Sequence, residues 1–193
     1  SAIIVGDPKQ LPPTAFFHAS YVDEENLENE DLESVLDDCL ALGMPERHLC
    51  WHYRSKHESL IAFSNGMYYD NRLCTFPSPD AMDSRVRFVL TDGTYDRGFT
   101  KRNRKEAETL VKEVVRRLSD PVLCKASMGV VTFSSAQCEL IEQMLSKAIA
   151  ANRLEAIAYD REEPVFVKNL ENVQGDERDV ILFSVCYGPD ASG

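Results

Sequence analysis

Ser1-Ala-Ile-Ile-Val-Gly-Asp-Pro-Lys-Gln-Leu-Pro-Pro-Thr14 is the stretch around which the chain is organised. Its apolar run, Ala2 to Val5, is too short for a helix and rich in β-branched residues, which predicts a buried strand in a parallel sheet. Gly6 and Asp7 follow at the carboxyl end of that strand, where open α/β sheets bind ligands. Prolines then hold the chain extended around Gln10, whose amide both donates and accepts hydrogen bonds. The stretch predicts a phosphate-sensing ligand edge, and the alternative is a plain β-turn.

Composition and charge limit the class of protein. A chain of 193 residues with 44% hydrophobic residues is long enough for one well-cored globular domain. Its net charge of -11 argues against a broad basic surface that grips nucleic acid, although nine acidic residues lie between Asp23 and Asp38 alone. Six scattered cysteines, no signal peptide and no apolar run of bilayer length predict a cytoplasmic protein with reduced thiols.

The segment His48-Leu-Cys-Trp-His-Tyr-Arg-Ser55 is strand-like and ends in a polar cluster. His48, Cys50 and His52 alternate and would share one strand face, so zinc is an alternative interpretation, although a fourth ligand is not evident. Tyr53 offers a flat face on which a base can stack, and Arg54 offers a fork of donors suited to phosphate oxygens. A surface ion pair is the alternative for the arginine.

Periodicity places these segments among helices and strands. Asn103 and Glu106 have the spacing of a capping box, which predicts the start of a helix. The predicted helices span residues 32–42, 58–69, 103–118 and 138–151, and the predicted strands span 2–5, 86–90, 165–168 and 180–187, with a further buried strand that runs into a turn over 127–137.

Two further turns carry polar groups at the ends of predicted strands. Thr132 and Ser134 lie at a strand-to-helix turn, where hydroxyls and free amides suit an anionic backbone or cap the helix. Gln174-Gly-Asp-Glu-Arg-Asp179 separates two strands, which is again the geometry of a ligand edge. Surface pairing between Arg178 and the acidic residues is the alternative.

Three of these segments resemble, in order, motifs III, IV and V of superfamily 1 helicases. They are Gly-Asp-Pro-Lys-Gln-Leu-Pro-Pro (6–13), Tyr-Arg-Ser (53–55) and Gln-Gly-x-Glu-x-Asp (174–179). Residues 170–188 look closest to bacterial relatives of the nonsense-mediated-decay helicase. The resemblance implies an α/β fold, namely the second RecA-like domain of a P-loop NTPase, with a mainly parallel sheet and helices on both faces. Residues 1–14 would end the first RecA-like domain and cross into the second, which would span 15–193.

The resemblance also implies roles for individual residues. Gln10 would sense the γ-phosphate of ATP, and Arg54 would act as an arginine finger, so both count as catalytic. In these helicases a Gly-Val-x-Thr-Pro-Tyr-x-x-Gln segment lines the nucleic-acid groove, and here Phe133 and Ser134 replace its proline and tyrosine. The residues implied at the nucleotide are Asp7, Gln10, Tyr53, Arg54, Gly175 and Glu177, and those implied at nucleic acid are Thr132, Ser134 and Gln174.

The sequence contains no Gly-x-x-x-x-Gly-Lys-Ser/Thr loop, so the Walker A half of the motor is absent. ATP and Mg²⁺ would be held mainly by a first RecA-like domain, which is one expected partner, and single-stranded DNA or RNA is the other. The chain alone is expected to be inactive, and no protein metal site is predicted. The alternative function is a RecA-fold adaptor that has lost catalysis. A nuclease is a weaker alternative, because Asp7-x-Lys9 is only a fragment of such a site.

Overall fold

The computed structural model describes residues 2–10, 34–80 and 83–190. The chain divides into two compact units, a first unit of residues 1–89 and a second unit of residues 90–193. The predictions for Pro12, Pro13, Leu32 and the acidic loop from Phe16 to Glu30 lie outside the described residues. Among the described residues, none of the helices combines the length and the apolar character that a bilayer crossing requires.

The apolar run near the amino terminus does not form the predicted strand. Ile3 is 91% exposed and Val5 is 77% exposed, and residues 2–6 have no regular secondary structure. A strand is stable only when neighbouring strands pair with its N–H and C=O groups and cover its side chains. Among the described residues no strand pairs with this run. The prediction of a buried parallel strand is therefore wrong for the chain as it stands.

The first unit contains two helices and a short parallel strand pair. Helix α1 spans Val35–Ala41, strand β1 Trp51–His52, helix α2 Ser59–Tyr68 and strand β2 Cys74–Thr75. The hydroxyl of Ser34 accepts a hydrogen bond from the Asp37 N–H and so caps α1. Gly43, with a φ of 67°, ends that helix in the left-handed conformation that glycine tolerates. Both predicted helices are confirmed.

The predicted strand over residues 86–90 is also absent. These residues have no regular secondary structure, and the side chains of Val86, Phe88 and Val89 are exposed. Their alternating pattern fits a strand in sequence, but among the described residues no strand lies beside it to complete the hydrogen-bonding ladder. The pattern was therefore insufficient to predict a strand.

The second unit is built on a three-stranded parallel sheet with β3 at its centre. Gly129 of β3 lies opposite Phe166 of β4 on one side and opposite Ile181 of β5 on the other. The elements are α3 Arg104–Ser119, β3 Met128–Thr132, α4 Ser135–Ala151, α5 Glu155–Tyr159, β4 Phe166–Asn169 and β5 Val180–Ser184, with single 3₁₀ turns at Leu123–Lys125 and Leu170–Asn172.

The core of the second unit lies between the sheet and the helices α3 and α4. Val114 of α3, Val130 of β3 and Ile141 of α4 are fully buried in one cluster. Because side chains alternate along a strand, Met128 and Val130 face these helices, whereas Gly129 and Val131 face the opposite side. Each buried aliphatic side chain contributes roughly 1.5–3 kcal/mol. The predicted α/β class with parallel strands is confirmed.

Gly129 is required by the packing of a neighbouring aromatic ring. A Cβ atom at this position would lie 2.4 Å from Cζ of Phe166 on the adjacent strand. The phenyl ring therefore occupies the space that any other side chain would take, directly on the surface of the sheet. This packing joins β3 and β4 on the face opposite α3 and α4.

Candidate functional site

Asp7 organises the predicted phosphate-sensing segment as a hydrogen-bonded turn. Its carboxylate accepts hydrogen bonds from the Lys9 N–H at 3.0 Å and from the Gln10 side-chain amide at 3.1 Å. The Gln10 N–H donates to the Asp7 carbonyl at 3.2 Å. The segment therefore forms the β-turn of the alternative interpretation, and Gln10 is exposed at the end of that turn.

Tyr69, from the end of α2, completes the surroundings of Asp7. Its hydroxyl donates to the Asp7 carboxylate at 2.7 Å. Partial burial raises the pKa of Asp7, but the hydrogen bonds from Tyr69, Lys9 and Gln10 outweigh burial and hold that pKa below its usual range. Burial and the bond to Asp7 raise the pKa of Tyr69 to about 12. At neutral pH the pair is therefore a carboxylate bound to a neutral phenol.

The Tyr53-Arg54 pair lies on a loop that directly follows β1. Tyr53 is 84% exposed, and Arg54 is exposed as well. The ring of His52 closes the loop, because its Nε2 lies 2.8 Å from the Ser55 hydroxyl and accepts from the Ser55 N–H at 3.2 Å. The loop ends are thereby fixed, and both predicted nucleotide-binding residues are exposed.

The zinc alternative finds no support in the part of the chain that the structure describes. There, no group of three histidine, cysteine or acidic side chains is placed to hold a metal ion. His48 Nδ1 lies 3.1 Å from the Leu49 carbonyl, and His52 bonds to Ser55. Of the three residues, His52 is the one that bonds within the Tyr53–Arg54 loop.

A buried histidine just after this loop was missed by the sequence analysis. The Nδ1 atom of His57 accepts from the Ser59 N–H at 3.1 Å and lies 2.8 Å from the Ser59 hydroxyl. Nδ1 is then unprotonated, so Nε2 carries the hydrogen and faces the Asp80 carbonyl at 3.4 Å. The Ser59 hydroxyl also accepts from the Arg85 N–H at 2.9 Å. His57 therefore anchors the start of α2 behind Arg54.

In the second unit, Thr132 ends the central strand with its side chain fully buried. Its hydroxyl donates to the Ser134 carbonyl at 3.0 Å, so it shapes the strand-to-helix turn. Ser134 is half-buried at the first position of the turn into α4 and makes no side-chain capping bond. Asn169, at the end of the neighbouring strand, donates from its amide to the Ser135 hydroxyl at 3.2 Å.

A buried polar network lies behind this edge of the sheet. Gln137, fully buried, accepts from the Asn103 N–H at 2.9 Å and donates to the Asn103 carbonyl at 3.0 Å and the Ser184 hydroxyl at 3.2 Å. The Asn103 side chain accepts from the Glu106 N–H at 3.1 Å, as the capping prediction requires. The Glu106 carboxylate, however, accepts from Ser184 at 2.6 Å and from the Cys186 N–H at 3.0 Å. Gln137 therefore takes the reciprocal half of the capping box.

A cluster of basic residues at the start of α3, namely Arg102, Arg104 and Lys105, forms local ion pairs. Arg102 pairs with Glu139 at 3.1 Å, and its Nε donates to the Ala136 carbonyl at 2.8 Å. The other ion pairs of this cluster join Arg104 to Glu108 at 3.0 Å and Lys105 to Asp92 at 2.5 Å. These charges are therefore partly neutralised by neighbours within the same unit.

The predicted motif V segment forms a tight turn before β5. Gly175 has a φ of 90°, a conformation that favours glycine, while Gln174 and Glu177 are exposed beside it. Asp179 accepts from the N–H of Ser127 at 3.0 Å and from its hydroxyl at 3.2 Å. Arg178 donates to the carbonyls of Glu177 and Pro164, and Lys168 forms an ion pair with Asp176.

The structure divides the predicted site residues between the two units. The first unit holds Asp7, Gln10, Tyr53 and Arg54, which were all predicted at the nucleotide. The second unit holds the predicted nucleic-acid residues, together with Gly175 and Glu177. Their roles stay predictions. The supporting residues that sequence analysis missed as such are Tyr69, His57, Gln137, Phe166 and Lys168.

Comparison with known proteins identifies relatives of the chain. Residues 32–188 match a family described as AAA domain. The chain is 38% identical over 202 residues to an uncharacterized ATP-dependent helicase of Mycoplasma genitalium and 36% identical over 197 residues to its homolog in Mycoplasma pneumoniae. It is 24% identical over 195 residues to the human probable helicase senataxin.

The chain spans only a small part of these relatives. The two mycoplasma alignments each cover 96% of this chain and 17% of the relative. The senataxin alignment covers 93% of this chain and 7% of senataxin. All three are named as helicases, so the resemblance to superfamily 1 helicases deduced from the three motifs is confirmed.

Proposed function

The chain belongs to the AAA domain family, and from this membership we propose that it is the second motor domain of an ATP-dependent superfamily 1 helicase or translocase. In this proposal the motor binds and moves along single-stranded DNA or RNA. The observation that carries the proposal is the exposure of Tyr53 and Arg54 on a loop whose ends are fixed. An arginine that is held in place and exposed is suited to stabilise charge on a transferring phosphoryl group.

In this proposal the nucleotide lies against groups of the first unit. Arg54 would contact the γ-phosphate, Gln10 would sense its presence, and Tyr53 would pack on the adenine. Bound ATP and Mg²⁺ supply the phosphoryl group and its charge neutralisation, and both would be held mainly by a first RecA-like domain. Asp7 bonds the Gln10 amide and keeps it oriented on the rim of its turn. The roles of Gly175 and Glu177 at the nucleotide stay predictions from the family resemblance.

Nucleic acid would be held by local contacts at the second unit. Ser134 and Gln174 are accessible for such contacts, whereas Thr132 is buried and would act by shaping the turn that leads to Ser134. In this proposal Ser134 and Gln174 contact the phosphate backbone, and such contacts carry no sequence information directly. The ion pairs of Arg102, Arg104 and Lys105 are consistent with a groove of modest positive charge.

The test is ATP turnover by the full-length protein that contains this chain, with and without single-stranded DNA or RNA. The Arg54→Ala variant should lose about 10³- to 10⁵-fold in turnover, the range expected for an arginine finger. Arg72→Ala is the matched control, because Arg72 is a surface arginine of the same unit that pairs with Asp70 at 3.6 Å. If Arg54→Ala retains the wild-type rate in a folded protein, the arginine-finger role is wrong.

A catalytically inactive adaptor is the second candidate. The observation that favours it is the net charge of -11, which is unusual for a protein that moves along a polyanion. An adaptor would keep the fold and bind a protein partner without turning over ATP. Absence of stimulated turnover in the folded full-length protein would select this function.

A further inference from the structure

Two cations share one aromatic ring next to the Gln174–Glu177 turn. Nζ of Lys168 lies 5.2 Å from the centroid of the Phe166 ring, and the guanidinium carbon of Arg178 lies 4.8 Å from it. Both distances are within the range in which a cation is attracted to an aromatic face. The three residues come from β4 and from the segment just before β5, so the ring joins the strand to the turn.

Each cation also grips the turn directly. Nζ of Lys168 donates to the Asp176 carboxylate at 2.5 Å. One terminal nitrogen of Arg178 donates to the Glu177 carbonyl at 2.7 Å, and the other donates to the Pro164 carbonyl at 3.2 Å. The turn is therefore held at two consecutive residues by groups that are themselves attached to one ring.

The ring has a fixed position of its own. Cζ of Phe166 points at Gly129 of the central strand, where a Cβ atom would lie at 2.4 Å. Nε of Arg178 is buried and has no hydrogen-bond partner among the described residues. A buried donor without a partner is costly, so the guanidinium must be retained by its two carbonyl bonds and by the ring. The Phe166 ring thus packs on the sheet, the two cations lie over the ring, and the cations bond to the turn.

We propose that Phe166, Lys168 and Arg178 are positioning residues that hold the Gln174–Glu177 turn in the conformation that binds nucleic acid. This inference rests on the proposed function, because it assigns the turn to the same nucleic-acid site. Both cations act by holding the turn. Lys168 orients the Asp176 carboxylate, and Arg178 fixes the Glu177 carbonyl. Loss of the ring would remove the cation–π contacts of both cations and weaken their hold on the turn.

The test uses the full-length protein and an unstructured single-stranded DNA or RNA oligonucleotide as the probe. Phe166→Leu and Arg178→Met should each raise the oligonucleotide concentration that gives half-maximal ATP turnover by about three- to tenfold. Turnover at saturating oligonucleotide and saturating ATP should change by less than about twofold, because the groups proposed at the γ-phosphate lie outside this turn. Arg178→Lys keeps a cation over the ring and should restore most of the affinity. Phe99→Leu, at an exposed phenylalanine of the same unit, should have no effect.

Hydrogen exchange separates this inference from the proposed function. The Asp176 N–H donates to the Val173 carbonyl at 3.0 Å, and the Asp179 N–H donates to the Ser127 hydroxyl at 3.0 Å. In Phe166→Leu the Asp176 amide should exchange several-fold faster, while amides of the helix α3 core keep their wild-type rates. Unchanged exchange at the turn, or unchanged half-saturation in a stimulated enzyme, would overturn the positioning role. If the wild-type protein shows no stimulated turnover, the proposed function fails, and the exchange rates alone decide whether the ring positions the turn.

Discussion

Replacement of Gln137 by leucine should destabilise the second unit strongly, although the two side chains have similar volumes. The amide of Gln137 makes three hydrogen bonds inside the core, two with the Asn103 backbone and one with the Ser184 hydroxyl. Leucine fills a similar space but can neither donate nor accept a hydrogen bond. The variant therefore removes the partner of the Asn103 N–H at the first turn of α3.

The magnitude follows from what each partner retains. The Asn103 carbonyl still accepts from the Ala107 N–H at 3.1 Å, and Ser184 still bonds to Glu106 at 2.6 Å. The Asn103 N–H, in contrast, keeps no partner, and a buried unsatisfied donor costs about 1–3 kcal/mol. The two other lost bonds add roughly 0.5–1.5 kcal/mol each, which burial of the leucine side chain partly offsets. We expect the free energy of unfolding to fall by about 2–3 kcal/mol.

The assay is urea unfolding followed by far-ultraviolet circular dichroism, to which the helices α3 and α4 contribute strongly. With an m-value of about 2 kcal/mol/M, the expected loss lowers the unfolding midpoint by roughly 1 M. Gln143→Leu is the control, because Gln143 lies on the same helix but is exposed. If both variants lose the same small free energy, below about 0.5 kcal/mol, the network does not have the stabilising role argued from its hydrogen bonds.

Two further substitutions test the packing and the electrostatics. Gly129→Ala should cost about 1–3 kcal/mol in the same urea titration, since its Cβ would overlap the Phe166 ring, whereas Gly98→Ala, with nothing within 4 Å, should be neutral. Tyr69→Phe should destabilise the first unit at neutral pH, as followed by Trp51 fluorescence. Because the folded-state pKa of Asp7 is lowered, the stabilisation from the Asp7–Tyr69 hydrogen bond is present above pH 3.8. The difference in the free energy of unfolding between the variant and the wild type should vanish as pH falls through the lowered pKa. In alkali the same hydrogen bond loses its donor when the Tyr69 phenol ionises. Its stabilisation is present below pH 10.0 and should be lost as pH rises through about 12. A difference that grows in acid would contradict the Asp7 pairing.

Local patterns predicted the main helices and the central strand of the second unit. Helix α3 was predicted from its apolar spacing and from the Asn103 cap, and the structure places its buried residues on that face. The strand β3 was predicted from its apolar run and is buried along its whole length. The runs at 2–5 and 86–90 have equally suitable residues but do not form strands, because a strand depends on partners elsewhere in the chain. Sequence pattern alone does not reveal whether such partners exist.

The sequence was sufficient to predict which segments carry the candidate site residues, but not which side chains hold those segments in place. The order of residues indicated the turns at Asp7, Arg54 and Gly175. The groups that hold those turns, such as Tyr69 and Phe166, are single residues of common type, and only the fold brings them to their partners. Gln137 did carry a signal, because it occupies the same helical face as Ile141, Leu145 and Ile149, which are all buried. A polar residue at a core position must find hydrogen bonds there.

The strand order of the second unit also sets a condition on its synthesis. β3 lies at the centre of the sheet but precedes both of its neighbours in the chain. A nascent chain that has emerged as far as Asn169 can pair one edge of β3, and the other edge stays unpaired until Ser184 has left the ribosome. During that interval an apolar strand with an open edge is available to wrong partners. The central position of β3 therefore makes the emergence of residues 170–184 the step at which both edges of this strand become paired.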